Sequence, residues 1–390
     1  MNRLRVCAHI NLDAVSRNVR SISGALGEDA SEGMVYAVIK ADAYGHGALP
    51  IVHHLQREKC IGGFAVATFE EAMELYEDGI RSPILILGYT FADTYRDVVR
   101  CGIRPTIFTR EMAEEYDRAA RLENKRVHCH IKIDTGMGRI GFQVSEESAN
   151  VIHAVFEEND SLVSEGIFTH FARADEADKS ATDEQYRQFV QMVGWLADRG
   201  IHFPVVHASN SAAIMEYPKA RFDKVRAGII LYGLLPSDEV DKSFALSPVM
   251  SLTSHIVHIK DVEAGTPISY GGTYRAEGRR RIATIPVGYG DGYCRGLSNK
   301  GSVLIRGRRA PIVGRVCMDQ FMVDITEIPE ARLLDEVILI GSDGGEQITL
   351  EELGELSGRF NYEFACDLGN RIPRLYYRDG ELVDVKEYYR

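Results

Sequence analysis

The 390-residue sequence has one tryptophan, 12 prolines and no long apolar run. Without an 18-residue apolar stretch, or an apolar core near the start MNRLRVCAHINLD, we predict neither a membrane span nor a signal peptide. Cysteines are few, odd in number and free of C-x-x-C pairs, which favours reduced thiols: Cys7, Cys60, Cys101, Cys129, Cys294, Cys317 and Cys366. These absences predict a cytoplasmic protein.

The sequence also has fewer basic residues than acidic ones. Lysine and arginine number 45 against 57 acidic residues, so the net charge is −12 and binding to nucleic acid or to an anionic membrane is disfavoured. The apolar share of 45% indicates a globular protein with a real core. The length suits two domains, or a barrel with an appendage.

Between about residues 34 and 230, short apolar runs alternate with longer amphipathic segments, a pattern typical of repeated βα units. Eight runs are present: MVYAVIK (34–40), GFAVAT (63–68), PILILG (83–88), RPTIF (104–108), VHCHIKID (127–134), SEGIFTHF (164–171), VVHASN (205–210) and KVRAGI (224–229). Eight units in about 200 residues favour a closed (β/α)8 TIM-like barrel over an open doubly wound sheet, although periodicity alone does not separate them.

The sequence pattern changes after residue 237. From there on, closely spaced strand-like runs are separated by glycine pairs. This pattern predicts a mainly β C-terminal domain. We therefore assign residues 1–240 to the barrel and residues 241–390 to the second domain, an α/β architecture overall.

Polar side chains stand where the predicted barrel strands end. Lys40 ends the first run, Arg139 follows the fifth, His170 ends the sixth, and Arg226 lies in the eighth. Chemistry in a βα barrel occurs at this face, because the loops there converge on the mouth. A lysine at a desolvated mouth can react as a neutral amine; the simpler interpretation is a strand-end lysine that reaches solvent.

The last two runs end in small residues with available backbone N–H groups. HASNSAA contains Asn210 and Ser211, and VRAGIILYG contains Gly228 and Ile229. Barrels bind phosphate after strands seven and eight, and Tyr44 in KADAYGHG would reach the same mouth. A reactive lysine opposite a phosphate site indicates pyridoxal phosphate.

Two other motifs suggest a dinucleotide site and a metal site, but each is a weak match. The segment GMGRIG (136–141) matches G-x-G-x-x-G, yet it follows the fifth strand and precedes no helical pattern, unlike a dinucleotide-binding turn. His128, Cys129 and His130 lie in an alternating strand pattern, so they do not converge on a metal and we predict no metal site.

Together these segments resemble the bacterial alanine racemases, which are pyridoxal phosphate enzymes of fold type III. The matching stretches span residues 37–322: AVIKADAYGHG, KIDTGMGRIGF, FTHFARAD, HASNSAA, VRAGIILYG, ISYGGTY, IPVGYGDGY and GRVCMDQFM. The resemblance implies interconversion of L- and D-alanine, with D-alanine supplied for peptidoglycan. It also implies a head-to-tail homodimer in which the second domain of each subunit completes the partner's site.

The resemblance assigns the two catalytic bases. Lys40 would hold the cofactor covalently and act as one base, and Tyr270 from the other subunit would act as the second. Inversion at Cα needs a proton removed from one side and delivered to the other, so two acid-base groups must flank it. A phenol starts near pKa 10 and needs cationic neighbours, here Arg226 with His170, to accept a proton near neutral pH.

The same resemblance assigns the residues that bind the cofactor and the substrate. Arg226 would face the pyridine nitrogen and leave it unprotonated, because a guanidinium does not release its proton. Arg139 would contact the ring oxygen and the substrate carboxylate, and Met318 would offer that carboxylate a backbone N–H. The phosphate would be held by Tyr44, Asn210, Ser211, Gly228 and Ile229.

Supporting roles also follow from the resemblance. His207 would extend the chain of His170 and Arg226, and Tyr289 would narrow the entrance. Lys132 matches a family lysine that is often carbamylated and then positions Arg139. A plain lysine paired with Asp134 or Asp319 is the alternative.

One position departs from the family pattern. The family usually has a tyrosine before the R-x-P-R segment, and here Asn370 occupies that place. Asparagine is shorter and can both donate and accept a hydrogen bond, so it favours a substrate hydroxyl. We expect substantial serine activity beside alanine activity.

Three alternatives remain open at this stage. A dedicated serine racemase would differ in specificity alone. A decarboxylase of the same plan would place an acid, rather than Arg226, against the pyridine nitrogen. A non-catalytic pyridoxal phosphate carrier would lack the second domain and therefore Tyr270.

Overall fold

The computed structural model describes residues 4–27 and 32–388, and these residues form two units. One unit contains residues 16–43 and 52–246, and the other contains residues up to 15, 44–51 and from 247 onward. None of the helices in the described ranges has the length and apolar character that a membrane crossing requires.

The first unit is a parallel β-barrel, as the eight apolar runs predict. Its strands are Val35–Val38, Ile61–Val66, Ile84–Ile86, Thr106–Ile107, Val127–Asp134, Leu162–Phe168, Val205–His207 and Val225–Ala227. Each strand pairs in parallel with the next, with single bridges from Leu85 to Arg104 and from His207 to Lys224. The eighth strand pairs with the first, which closes the barrel. The open sheet is therefore excluded.

Helices follow the barrel strands, and many of them begin at a side chain that caps the first turn. Thr68, Thr109, Ser145 and Asn210 each accept a hydrogen bond from the backbone three residues later, which satisfies a donor that the helix leaves free. The helices are Leu12–Leu26, Ala48–Leu55, Phe69–Glu77, Tyr95–Cys101, Arg110–Glu123, Glu146–Glu158, Ser180–Asp198 and Ser211–Glu216, with 3-10 turns at Ala92–Thr94, Pro218–Ala220 and Ile229–Tyr232. They alternate with the strands as a (β/α)8 fold requires.

The second unit is mainly β. Its largest sheet has eight strands, in the spatial order Arg308–Pro311, Ser302–Ile305, Glu336–Asp343, Met250–His255, Val6–Asn11, Arg374–Arg378 and Glu381–Lys386, with Glu346–Ile348 paired to Glu336–Asp343. Smaller sheets contain His258–Val262, Arg280–Ile285 and Phe321–Asp324, and the pair Pro267–Ile268 and Tyr274–Arg275. Helices Leu350–Ser357 and Asn361–Asp367 complete it, with 3-10 turns at Tyr270–Gly272, Tyr289–Asp291 and Arg295–Leu297.

The N-terminal strand differs from the assignment of residues 1–240 to the barrel. Val6–Asn11 lies inside the large sheet, antiparallel to Met250–His255 and parallel to Arg374–Arg378. Four of its six residues are buried, which fits a strand with a neighbour on each side. Along the described residues, the chain therefore passes through the β unit before it enters the barrel.

One turn of the β unit carries a conformation that its residue does not favour. Leu334 has φ +69° and a side chain that is 47% exposed, so its burial does not offset the steric cost of a left-handed backbone. We expect Leu334→Gly to raise the free energy of unfolding by about 0.5–1 kcal/mol, measured by urea unfolding. Leu333→Gly, at an exposed neighbour without positive φ, is the control and should gain nothing. Equal midpoints for the two variants would contradict this account.

Candidate active site

The segment after the first barrel strand turns in the left-handed sense. Ala41, Asp42, Ala43 and Tyr44 all have φ between 52° and 56°, and the Ala43 N–H donates to the carbonyl of Ile39 at 2.7 Å. Such a turn of non-glycine residues costs about 1–2 kcal/mol per residue. The strained turn begins directly after Lys40, so the backbone at this position is set by its surroundings and not by local preference.

Arg226 lies buried in the eighth barrel strand, and both of its terminal nitrogens donate hydrogen bonds. Its guanidinium donates to the carbonyls of Thr169 at 2.8 Å and Ala208 at 2.9 Å, and to Nδ1 of His207 at 2.8 Å. Nδ1 of His170 lies 3.3 Å away. Burial and the charge of Arg139 lower the pKa of Arg226 to about 9, which leaves it charged at neutral pH. The guanidinium is therefore a rigidly held cation.

Two imidazoles continue from Arg226 into the barrel. Arginine cannot accept a hydrogen bond, so Nδ1 of His207 accepts and its Nε2–H donates to Nδ1 of His130 at 2.9 Å. Burial, followed by nearby positive charge, lowers the pKa of His130 to about 3 and that of His207 well below its usual value. Gly166 makes room for this column, since a Cβ there would lie 2.3 Å from the His130 ring.

His170 marks a concentration of positive charge at the C-terminal ends of the strands. Burial, followed by the charges of Arg226, Lys132, Arg139 and Lys40, lowers its pKa well below the usual value. Its imidazole is therefore neutral, and the positive charges that act on it belong to Arg226, Arg139 and Lys40 and, when it is protonated, to Lys132. Such an arrangement favours an anionic ligand.

Lys132 is buried beneath these charges. Burial and the nearby Arg226 lower its pKa to about 7, against the opposing effect of Asp134. Its ammonium donates to the carbonyl of Ile133 at 2.8 Å. Much of this side chain is a neutral amine near pH 7, the nucleophilic form that carbamylation requires.

Asp134 organises the loop that follows the fifth strand. One of its carboxylate oxygens accepts the N–H groups of Gly136, Met137 and Gly138 at 2.9–3.0 Å. Burial raises its pKa, but these hydrogen bonds lower it on balance. The G-x-G-x-x-G segment therefore wraps a carboxylate, and the short strand Phe142–Gln143 follows it instead of a helix.

Hydrogen bonds join the ends of the seventh and eighth strands. Asn210 caps the short helix Ser211–Glu216 by accepting the Ala213 N–H at 3.1 Å. The Ser211 hydroxyl accepts the Gly228 N–H at 3.0 Å, which joins the two strand ends. The Asn210 amide donates to the carbonyl of Phe171 at 3.3 Å. The Ser211 hydroxyl and the cationic surroundings therefore fit the phosphate of pyridoxal phosphate, with Lys40 and Arg226 in the same unit.

Tyr270 projects from the β unit into solvent. It is 70% exposed and is flanked by Ser269 with φ +65° and by Gly271 and Gly272 with φ +73° and +53°. The Ser269 hydroxyl donates to the carbonyl of Arg315 at 2.6 Å, which fastens the turn. The phenol is thus presented on a fixed turn without burial in its own unit.

Residues around Tyr270 form an open cavity of about 670 Å³ that includes Met318 and Asp319. Asp319 pairs with Arg371 at 2.9 Å, and Met318 is 53% exposed. Tyr289 lines a second cavity of about 450 Å³ in the same unit, together with Gly369. Asn370 directly follows Gly369 and is exposed.

The predicted residues thus fall into two sets. The barrel unit brings together Lys40, Lys132, Arg139, His170, His207, Asn210, Ser211, Arg226, Gly228 and Ile229. The β unit carries Tyr270, Tyr289, Met318, Asp319 and Asn370, and it also contains Tyr44, whose ring packs edge-on against Tyr362.

Sequence reasoning gave no role to His130 or to Glu71. The T-x-x-E spacing of Thr68 and Glu71 is a capping-box signal that could have pointed to this helix start, but the sequence carries no signal for the reach of Glu71 to another loop.

Comparisons with known proteins agree with this geometry. Residues 10–236 match the alanine racemase N-terminal domain model and residues 249–376 match the C-terminal domain model. The chain is 45% identical over 372 residues to an alanine racemase of Desulforamulus reducens, covering 95% of this chain and 98% of that protein.

Solved structures give the same result. An alanine racemase of Clostridium difficile 630 superposes with a TM-score of 0.94 at 42% identity, with full coverage of both chains. An alanine racemase of Bacillus anthracis with bound L-Ala-P superposes with a TM-score of 0.92 at 36% identity, covering 100% of this chain and 99% of that one. The barrel with a β C-terminal domain, expected from the sequence, is confirmed.

Proposed function

This chain belongs to the alanine racemase family, and from that premise we propose that it interconverts L- and D-alanine with pyridoxal phosphate as cofactor. The observation that carries the proposal is the contact of the buried Arg226 with His170 at 3.3 Å, at a position where the charges of Arg139 and Lys40 also act. That cluster suits a phosphate ester together with a substrate carboxylate. A cationic arginine, rather than an acid, occupies the position expected to face the pyridine nitrogen, which disfavours the decarboxylase alternative.

When bound, pyridoxal phosphate withdraws electron density from Cα of an attached amino acid and so makes its hydrogen acidic. Lys40 would hold the cofactor and take or return the proton on one side of Cα. Asn210, Ser211, Gly228 and Ile229 would hold the phosphate, with Tyr44 adding a hydroxyl. Arg139 would orient the carboxylate, and Lys132 would support Arg139.

Arg226 would limit how strongly the bound cofactor withdraws electrons from Cα. Its terminal nitrogens donate to two carbonyls and to His207, and it would face the ring as a cation that gives up no proton. The pyridine nitrogen would then stay unprotonated. Weaker withdrawal suits a racemase, because Cα is reprotonated before side reactions compete.

Tyr270 would be the base on the other side of Cα, contributed by a second copy of the chain. Because the Tyr270 phenol is largely exposed, its own β unit does not surround it with the groups that would make it a base. Brought to the cationic cluster of a partner's barrel, it would find the positive charge that favours its ionised form. The backbone N–H of Met318 and the ring of Tyr289 would reach the substrate from the same unit. The exposure of Tyr270 thus supports a homodimer.

The direct test is racemisation of L-alanine and L-serine by the purified protein, side by side, with deuterium uptake at Cα in heavy water. We expect a yellow cofactor band, deuterium in both products, and faster turnover of alanine. Cofactor binding without deuterium uptake would instead indicate a carrier protein, and faster turnover of serine a dedicated serine racemase. The cytoplasmic location and the supply of D-alanine for peptidoglycan stay predictions from the family resemblance.

Serine activity is proposed from Asn370. We expect Asn370→Tyr to lower the serine-to-alanine ratio of kcat/KM by about tenfold, because the variant loses an amide that can bond the substrate hydroxyl. Asn370→Phe separates the two properties of tyrosine, since it adds the aromatic wall without a hydroxyl. An unchanged ratio in both variants would show that Asn370 does not line the side-chain pocket.

A further inference from the structure

We propose that Glu71 is a positioning residue that holds the turn after Lys40 in its left-handed form and thereby sets the direction of the Lys40 side chain. The effect on catalysis rests on the proposed function; the effect on the turn does not. Glu71 belongs to the helix after the second barrel strand and is remote in sequence from Lys40.

The carboxylate of Glu71 joins two loops. One oxygen accepts the N–H of Ala41 at 2.6 Å. The other accepts the N–H of Ala67 at 2.7 Å and, more weakly, that of Thr68 at 3.3 Å. A capping box needs the contact with Thr68 alone, so the short bonds to Ala41 and Ala67 exceed what the helix start requires.

The bond to Ala41 acts on Lys40 through the backbone. The Ala41 N–H belongs to the peptide group that follows the Lys40 Cα, so fixing that N–H fixes the ψ angle of Lys40. The left-handed residues that follow persist where outside contacts hold them. The bond between Ala43 and Ile39 lies within the turn, whereas Glu71 reaches it from another element.

These contacts require a carboxylate at position 71, and a neutral side chain of the same size as glutamate would not replace it. All three groups that face Glu71 are N–H donors, and a carboxylate offers acceptors on both oxygens. In Glu71→Gln one of these oxygens becomes an NH₂ group, which would oppose the N–H of Ala41 or of Ala67. The variant keeps the shape and loses one of the two short bonds.

Thr68→Ala supplies the matched control. The Thr68 hydroxyl accepts the Glu71 N–H at 3.3 Å, so its loss weakens the same helix start and leaves the Ala41 contact in place. Both variants should lower the thermal midpoint by a similar amount. A purely structural role for Glu71 would then give the two variants the same properties in every other assay.

The experiment measures hydrogen exchange of the peptide covering residues 40–44 and the affinity for pyridoxal phosphate, followed by absorbance. We expect Glu71→Gln to speed exchange and to weaken binding, each by about tenfold. Thr68→Ala should stay within about twofold of the wild type in both. Glu71→Asp, shorter by one methylene, should resemble Glu71→Gln and replaces it if that variant does not fold.

Equal exchange and equal affinity in the Glu71 and Thr68 variants would overturn the proposal. A wild-type protein that binds no pyridoxal phosphate would instead refute the proposed function. In that case the exchange rates still decide whether Glu71 holds the turn, because they are measured without cofactor.

Discussion

Mixed in equal amounts, the inactive variants Lys40→Ala and Tyr270→Phe are expected to recover about a quarter of wild-type racemisation. Half of the randomly formed dimers would be hybrids. In each hybrid one site combines an intact lysine from one chain with an intact tyrosine from the other. Each variant alone should lose on the order of 10³-fold in kcat, because one side of Cα has no acid-base group.

A second mixture also tests whether Lys40 and Tyr270 of one site come from different chains. A chain carrying both substitutions, mixed equally with wild type, should lower activity to about a quarter, since every hybrid then lacks a complete site. If Lys40 and Tyr270 acted within one chain, half of the activity would remain and the first mixture would recover nothing. Subunit exchange is verified by native mass spectrometry of tagged chains.

Arg226→Glu should produce the second large effect, a loss of racemisation on the order of 10³-fold. A carboxylate facing the pyridine nitrogen would favour its protonation and so strengthen electron withdrawal from Cα. We expect slow transamination of alanine to become measurable as pyridoxamine phosphate by mass spectrometry. The variant also leaves the carbonyls of Thr169 and Ala208 without their donor, so a lower thermal midpoint is expected.

Arg226→Lys is the control for charge. It keeps a cation but not the planar fork that reaches Thr169, Ala208 and His207 together. We expect a loss of about tenfold to a hundredfold with no rise in transamination. If both variants transaminate equally, then geometry rather than charge at Arg226 controls the reaction path.

The sequence predicted the barrel because buried parallel strands are continuous apolar runs, which remain visible even where the strand is as short as Thr106–Ile107. It also predicted the residues at the C-terminal strand ends, such as Lys40, His170 and Arg226, because barrels place their chemistry there. Family resemblance added Tyr270, which local pattern alone would read as an ordinary strand tyrosine.

Other features depend on contacts that no local pattern contains. Nothing in Ala41-Asp42-Ala43-Tyr44 disfavours a right-handed turn, and the left-handed form reflects its surroundings. Likewise, the short run Val6–Asn11 takes its partners from strands more than 230 residues away. The role of His130 appears only when His207 and Gly166 are placed beside it.

The position of Val6–Asn11 between Met250–His255 and Arg374–Arg378 has a consequence for biosynthesis. Val6–Asn11 leaves the ribosome long before Arg374–Arg378, so its second neighbour does not yet exist while the barrel is being translated. The barrel segments emerge earlier and can fold as translation proceeds. The β unit is therefore completed only after the barrel segments have emerged, through the most sequence-distant pairing of this sheet, and such pairings form slowly. Refolding in vitro should accordingly show a late phase, and shortening the N-terminus should damage the C-terminal sheet.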